Sequence, residues 1–261
     1  MMSENITVQF ENAITKALNN FKQRLEQQRS FQFQNNLLKK LHEEIKIIGY
    51  CDSQKIENLS LEYEDFHKKL SESGRSYENI VEEKNLVDTY SAFEKFLSDC
   101  FYSLYLFFPK YLGEKITVST HDFFIGGDIE LCKKNIIELE VKSFIQANHI
   151  IEIVSSFKKK FSIKKIESSI SKDDLNILYE ISLIRNLITH NNSIVNRVYI
   201  EQVKKFLKDK AKYEFHEGET VLSKLENLTQ DLKDISTTVC EKIAKAIIND
   251  SNRLKNHHEK M

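Results

Sequence analysis

The scarcity of residues that end or bend a helix is the feature that most constrains how this chain folds. Among its 261 residues there are one proline and six glycines. Proline removes a backbone donor and clashes with the preceding turn, while glycine in a helix interior costs about 1 kcal/mol relative to alanine. With so few of both, and with 41% hydrophobic residues to fill a core, long uninterrupted helices are favoured. We therefore expect an all-α fold.

The first 48 residues carry apolar side chains at steps of three and four, which is the pattern of an amphipathic helix. The apolar positions that predict a first helix are Phe10, Ile14, Leu18, Phe21 and Leu25, and those that predict a second are Phe33, Leu37, Leu41, Ile45 and Ile48. The stretch SESGRS at 71–76 looks like a break. Residues 1–76 are therefore expected to form a long N-terminal helical arm.

The middle of the chain, residues 77–215, is expected to form the main helical domain. Residues 85–109 are apolar on more than one face and end at the only proline, which is typical of a central core helix. A loop or small hairpin is expected at 111–128, and helices are predicted at 129–144 and 149–161. Ser171 and Asp174 form a capping-box pattern ahead of a further helix.

The last segment, residues 216–261, is predicted to contain one long helix and a polar tail. Its apolar residues alternate steps of four and three, the spacing of a coiled-coil seam, and they are Val221, Leu225, Leu228, Leu232, Ile235 and Val239. This C-terminal pairing helix should lie against another helix, either the N-terminal arm or a second subunit.

Charge and cysteine content exclude several classes of protein. Lys and Arg number 38 against 39 Asp and Glu, so the chain lacks the bulk positive charge of a protein held on nucleic acid by charge alone. The four cysteines are far apart, which predicts neither a zinc site nor a disulfide framework. The N-terminus lacks the pattern of a signal peptide, and the longest apolar run is about half of a membrane span. We expect a cytoplasmic protein without a membrane segment or a metal.

The stretch ISLIRNLITHNN, residues 181–192, places three polar residues in an otherwise apolar helix pattern. One face of this helix carries the expected core stripe, which is Ile177, Ile181, Ile184 and Ile188. Asn186 and His190 are four residues apart and share the opposite face, while Arg185 projects between the two faces and can reach the same site as His190. Because the polar face also carries apolar residues, contact with another helix or subunit is expected there.

The hexapeptide RNLITH is an R-x-x-x-x-H motif, with a polar residue directly after the arginine, on a late helix of a helical domain. It resembles the motif of the HEPN superfamily of ribonucleases. Its flanks, LNILYEISLIRNLITHNNSIVNRVY, resemble the region around that motif, and VDTYSAFEKFLSDCFYSLYLFFP resembles an earlier core helix of some of those domains. The likeness covers roughly residues 85–207 and implies a HEPN-like helical bundle.

The resemblance implies a metal-independent endoribonuclease that needs no cofactor and whose active site forms where two copies of the motif meet in a homodimer. His190 would exchange protons with the RNA 2′-OH or the leaving 5′-oxygen, because an imidazole titrates near cellular pH. Arg185 would bind the phosphate oxygens, and Asn186 would orient the imidazole or bond the phosphate. Proteins of this family often act as toxins or anti-phage effectors, which implies an antitoxin or another defence partner that restrains the activity.

Three other interpretations remain open from the residues alone. The chain could be a catalytically inactive relative that serves as an assembly or RNA-binding subunit of a defence or regulatory complex. It could be a sensor that binds RNA or a nucleotide without cleaving it. Finally, Arg185 and His190 could be structural, with the arginine in a salt bridge and the histidine at a helix C-terminus, where the helix dipole favours its charged form.

Further polar features are weaker candidates. The pair His121-Asp122 lacks the additional spaced ligands of a metal phosphohydrolase, and His257-His258 lies in a polar tail. Glu94 is either a surface residue or a contact of the Arg185 region. Basic clusters either track an RNA backbone or form solvated helix faces, and they comprise Lys158 to Lys160, Lys164, Lys165, Lys204, Lys205, Lys208, Lys210 and Lys212.

Overall fold

The computed structural model describes residues 2–48, 65, 68, 76–112 and 129–260. The α-helices in these ranges are α1 (Met2–Ile48), α2 (Tyr77–Phe107), α3 (Ile129–Ala147), α4 (Ile150–Phe161), α5 (Ile166–Ser169), α6 (Lys172–His190), α7 (Arg197–Phe206), α8 (Leu225–Asn249) and α9 (Ser251–Lys260). The described residues contain no β-strand, although an isolated antiparallel bridge joins Ile194 to Thr220. The all-α prediction is confirmed.

Helix α1 is continuous from Met2 to Ile48, so the prediction of two helices in this segment is wrong. The apolar spacing is interrupted between Leu25 and Phe33, but the intervening residues include no proline or glycine, and most are good helix formers. Among the described side chains of α1, the buried ones are Phe10, Ile14, Ala17, Phe21 and Leu25. Phe31 and Phe33 are exposed, and none of the described side chains from residue 26 to residue 40 is buried.

Helix α2 lies at the centre of the fold and contacts α1, α3, α6 and α8. It begins after Ser76, whose hydroxyl accepts a hydrogen bond from the Asn79 N–H, and it ends at Phe107, two residues before Pro109. Its buried residues occupy several faces, and they include Leu86, Tyr90, Phe93, Phe96, Leu97, Phe101, Leu104 and Tyr105. The prediction of a central core helix that stops at the proline is confirmed.

Helices α3 and α4 confirm the two helices predicted for this region. The following helix α6 carries the R-x-x-x-x-H motif. Its N-cap is Ser171, as predicted, but the Ser171 hydroxyl accepts a hydrogen bond from the Asp173 N–H at 3.1 Å and not from Asp174. On α6 the predicted stripe is fully buried at Ile181 and Ile184. The hairpin expected at 111–128 lies outside the described residues from position 113 onward.

Helix α8 packs against α2, α1 and α6 of its own chain. The predicted seam faces the core: Val221, Leu225, Leu228, Leu232 and Val239 are buried, and Ile235 is partly buried. The pairing partner of this helix is thus the core helix together with the N-terminal arm. The arm, the middle and the C-terminal segment share one hydrophobic core, while the division at residues 76 and 215 remains a prediction.

The described ranges hold no helix with both the length and the apolar character to span a bilayer. Within the same ranges, no three His, Cys, Asp or Glu side chains are placed to hold a metal ion. Cys100, Cys132 and Cys240 are free and buried, and Cys51 lies outside the described residues.

Candidate functional site

A cavity of about 1200 Å³ lies where residues of α2, α3, α6 and α7 face one another. We call it the α6 cavity, because the polar face of α6 forms one wall. That wall consists of Tyr179, Ser182, Leu183, Arg185 and Asn186. The second, partly apolar face predicted for this helix therefore lines a cavity between helices of the same chain. Two of the three predicted catalytic residues, Arg185 and Asn186, lie in it.

The Arg185 guanidinium is held by residues of α2 and by its own neighbour. Its Nη2 lies 3.6 Å from Oε2 of Glu94, and its Nη1 donates a hydrogen bond of 3.1 Å to Oδ1 of Asn186. Its Cζ lies 5.8 Å from the centre of the Tyr90 ring, within the range of a cation–π contact. The Arg185 Nε is buried and has no hydrogen-bond partner among the described residues. A buried donor without a partner is costly, so Glu94 and Asn186 leave this guanidinium incompletely hydrogen-bonded.

The sequence left two roles open for Glu94, that of a surface residue and that of a contact of Arg185. The structure gives it that contact. Burial raises the pKa of the Glu94 carboxyl, and the positive charge of Arg185 opposes the shift without cancelling it. The side chains of Glu94 and Arg185 are 35% and 27% exposed, so water screens this ion pair in part. An anionic ligand in the cavity can therefore compete with Glu94 for the arginine.

The Tyr90 ring packs against the Arg185 guanidinium. Burial raises the pKa of its phenol, and the nearby Glu94 carboxylate raises it further. The phenol therefore stays neutral at cellular pH. Its ring provides an apolar face under Arg185, which limits the directions in which the guanidinium can turn.

The structure does not bring His190 into the same cavity. His190 is the last residue of α6, its side chain is exposed, and it makes no hydrogen bond or ion pair with any described side chain. On a helix, His190 is rotated by about 140° from Arg185 but only by about 40° from Asn186. Asn186 is exposed too and lies between them. Within one chain, the motif is therefore divided between an arginine inside the cavity and a histidine outside it.

The chain directly after His190 is fixed by an irregular but well-bonded loop. Asn192 and Ser193 adopt left-handed backbone conformations with φ of 51° and 63°. The buried Ser193 hydroxyl donates to the Glu83 carboxylate of α2, and the Ser193 carbonyl accepts from the Val221 N–H at 2.9 Å. These contacts hold the C-terminal end of α6 in one position relative to the core helix.

A buried carboxylate fixes the other side of α6. Glu180 is fully buried and accepts hydrogen bonds from the Lys212 N–H at 2.7 Å, the Tyr213 N–H at 3.0 Å and the Tyr199 hydroxyl at 3.3 Å. Burial raises the pKa of this carboxyl, although the three donors oppose the shift. Glu180 therefore joins α6 to α7 and to the segment that follows α7.

The far end of the α6 cavity is formed by three rings that contact one another edge to face. His149, Tyr179 and Phe206 have ring centroids 5.1 to 5.5 Å apart, with interplanar angles of 64° to 66°. They come from three separate parts of the chain, the N-cap of α4, the middle of α6 and the end of α7. Sequence reasoning missed this aromatic wall. No local pattern could have revealed it, because the three residues meet only in the tertiary structure.

The other candidates from the sequence add no further site within the described residues. His121 and Asp122 lie outside the described residues, as do the side chains of His257 and His258. The predicted basic clusters are largely exposed on the surface. Among them, Lys205 lies near the cavity, because its Nζ is 4.9 Å from the centre of the Phe206 ring, whereas Lys204 lines a separate, smaller pocket.

No family model, no curated protein and no solved structure matches this chain.

Proposed function

We propose that this chain is a metal-independent endoribonuclease of the HEPN kind that cleaves RNA by attack of a 2′-OH on the adjacent phosphodiester. The observation that supports this proposal most directly is the environment of the Arg185 side chain. Its guanidinium lines a cavity, and its acidic partner among the described residues is one carboxylate that water partly screens. A phosphodiester can replace that carboxylate as the acceptor of the Nη donors.

In the proposed reaction, Arg185 binds the non-bridging oxygens of the phosphate. Negative charge builds on these oxygens as the 2′-oxygen attacks, and a fixed guanidinium with several N–H donors stabilises it. Asn186 already accepts a hydrogen bond from Arg185, which leaves its amide N–H groups to contact the phosphate or the imidazole of His190.

His190 supplies the proton chemistry. A neutral imidazole takes the proton of the 2′-OH as the new O–P bond forms, and an imidazolium gives a proton to the 5′-oxygen as the old P–O bond breaks. The products are a 2′,3′-cyclic phosphate and a 5′-OH end. DNA lacks the attacking hydroxyl and is not a substrate.

The separation of His190 from the cavity supports a composite site made by two copies of the chain. The exposed His190 of one copy would act on a phosphate held by Arg185 of the other. Such an enzyme would damage its own cell, which fits a toxin or an anti-phage effector that an antitoxin or another defence partner restrains. The free buried thiols are consistent with action in the cytoplasm.

The competing function is RNA binding or assembly without cleavage, and one observation favours it. In the isolated chain the histidine of the motif lies outside the cavity, so the described residues provide Arg185 for a phosphate but no proton acceptor of the motif beside it. An inactive relative of the fold would keep the arginine for binding and have no need of the histidine.

The test is cleavage of a mixed pool of tRNA and structured RNA in EDTA, with a DNA pool in parallel. His190→Ala and Arg185→Ala should each abolish cleavage, and the wild-type products should carry 2′,3′-cyclic phosphate ends. His216→Ala is the matched control, because His216 is also an exposed histidine, and it should cleave normally. If the wild type leaves RNA intact while still binding it, the non-catalytic function replaces this proposal.

A further inference from the structure

We propose that the far end of the α6 cavity is a nucleobase-binding subsite, which receives a base of single-stranded RNA whose phosphate lies on Arg185. This proposal deepens the proposed function, because it names the part of the substrate that the cavity recognises. It depends on that function for the identity of the ligand as RNA, but base binding does not require that the RNA be cleaved.

The first argument is the aromatic wall of His149, Tyr179 and Phe206. Phe206 is 40% exposed and lies at the rim, while Tyr179 is buried behind it. Nδ1 of His149 accepts a hydrogen bond from the Glu152 N–H at 3.4 Å, which fixes this ring at the start of α4. The wall keeps the exposed Phe206 ring and the partly exposed His149 ring in fixed positions, and proteins that bind single strands commonly stack bases on such aromatic side chains.

The second argument is the polar pair beside the wall, Asn148 and Gln202, which both line the cavity. The Tyr179 hydroxyl donates to Oε1 of Gln202 at 3.3 Å, which leaves the Gln202 amide N–H groups as donors. The Asn148 Nδ2 donates to the Phe144 carbonyl at 2.8 Å, which leaves its Oδ1 as an acceptor. One donor and one acceptor next to a stacking surface match the mixed hydrogen-bonding edge of a base.

The third argument is the position of the wall relative to Arg185. Tyr179, Leu183 and Asn186 lie on one face of α6, at steps of four and three, and all line the cavity. Tyr179 and Arg185 are six residues apart, which is about 9 Å along the helix axis. That distance is comparable with the span from the phosphate of a nucleotide to the far edge of its base. Both residues line the same cavity, Tyr179 from this face and Arg185 from its edge, so α6 can contact both ends of one nucleotide.

The charged side chains around the cavity nearly balance, which favours specific contacts with RNA over general electrostatic attraction. Lys95 is paired with Asp99 at 2.5 Å, and Lys142 and Glu138 also line the cavity. These charges largely offset one another. Near Phe206, Lys205 places its Nζ 4.9 Å from the ring centroid, so a cation is available at the rim for the next phosphate of the strand. Base stacking should therefore contribute much of the affinity, in addition to the phosphate contacts.

The test measures binding of fluorescent 2′-O-methyl tetranucleotides, which cannot undergo 2′-OH attack, by anisotropy. Each of the four homopolymers is compared with a fully abasic tetramer. Phe206→Leu removes the aromatic face and keeps an apolar side chain, so it should weaken binding of the base-bearing tetramers about 5- to 150-fold and leave the abasic one unchanged. Phe206→Tyr should restore binding. Phe33→Leu, at an exposed phenylalanine of α1, is the matched control.

Three results would overturn the subsite. They are equal affinity of the wild type for base-bearing and abasic tetramers, wild-type affinity in Phe206→Leu, and an equal loss in Phe33→Leu. The same proteins are then incubated with unmodified RNA. Base-dependent binding without cleavage would support the subsite and refute the nuclease, whereas cleavage without base-dependent binding would support the nuclease and refute the subsite.

Discussion

Glu94 of α2 and Arg185 of α6 form an ion pair at the wall of the α6 cavity, with Oε2 and Nη2 3.6 Å apart. Glu94 thus contacts the same guanidinium that we propose binds the phosphate of RNA. Under that proposal, Glu94 would compete with RNA for Arg185, and it holds the arginine side chain in place when no ligand is bound.

Removing the charge of Glu94 should strengthen RNA binding. In Glu94→Gln, the guanidinium is no longer neutralised, and a partly exposed ion pair of this kind is worth up to about 1 kcal/mol. We therefore expect affinity for a 2′-O-methyl RNA to rise by up to about fivefold, measured by anisotropy at fixed salt. Weaker binding in this variant would mean that the carboxylate holds Arg185 in its binding geometry more than it competes.

RNA binding should also strengthen as the pH falls through the raised pKa of Glu94. Above that pKa the carboxylate is ionised and holds Arg185, and below it the neutral acid releases the arginine. Because burial raises the pKa of the Glu94 carboxyl above its ordinary value, the effect should begin at a higher pH than for an exposed glutamate. Asp99, Glu138 and His149 also line the cavity, so the control is Glu94→Gln, in which the Glu94 contribution to the pH profile should be missing.

Mixing two inactive variants should restore cleavage if the site is composite. In a heterodimer of Arg185→Ala and His190→Ala, one of the two sites would receive an intact arginine from one copy and an intact histidine from the other. An equimolar mixture should then regain up to about a quarter of the wild-type rate, because half of the dimers are mixed and each has one intact site. A mixture as inactive as its components would place both residues of each site in the same chain.

Glu180→Ala should destabilise the fold by about 2 to 4 kcal/mol, because it removes the acceptor of two backbone N–H groups and a tyrosine hydroxyl in a buried setting. Glu180→Gln should cost less, since the amide keeps one acceptor oxygen. Urea unfolding measures both changes. A loss under about 1 kcal/mol in the alanine variant would show that water replaces the carboxylate.

Two replacements of Ser193 distinguish how much its hydrogen bond and its backbone conformation each contribute to stability. Ser193→Ala and Ser193→Gly both lose the bond to Glu83, but glycine adopts a φ of 63° without the steric cost of a side chain. Ser193→Gly should therefore be more stable than Ser193→Ala by about 1 kcal/mol in the same unfolding experiment. The reverse order would indicate that the loop changes its backbone conformation once the hydroxyl is gone.

The elements that the sequence predicts well are those with a local signal. The seam from Val221 to Val239 predicts α8, and an apolar run that ends at Pro109 predicts the core helix. The single helix α1 was missed because an interruption of the apolar spacing near Phe31 resembles a boundary. A helix continues through such a stretch when nothing in the backbone stops it.

The α6 cavity could not be predicted from the sequence, for a different reason. Arg185 and Glu94 are 91 positions apart in the chain, and the likeness to a known family gave only a weak hint that they meet. His149, Tyr179 and Phe206 have no shared spacing at all. Their contact depends on how α4, α6 and α7 are arranged, which is a property of packing and not of any single segment.

The central position of α2 has a consequence for how the protein is made. Helix α8 covers much of α2 but lies more than a hundred residues later in the chain. At the usual speed of translation, roughly 10 s pass between the synthesis of the two helices. During that time the apolar surface of α2 has no partner from α8, and the end of α6 cannot be fixed against Val221. In a nascent chain this apolar surface of α2 would thus stay open to water until α8 leaves the ribosome.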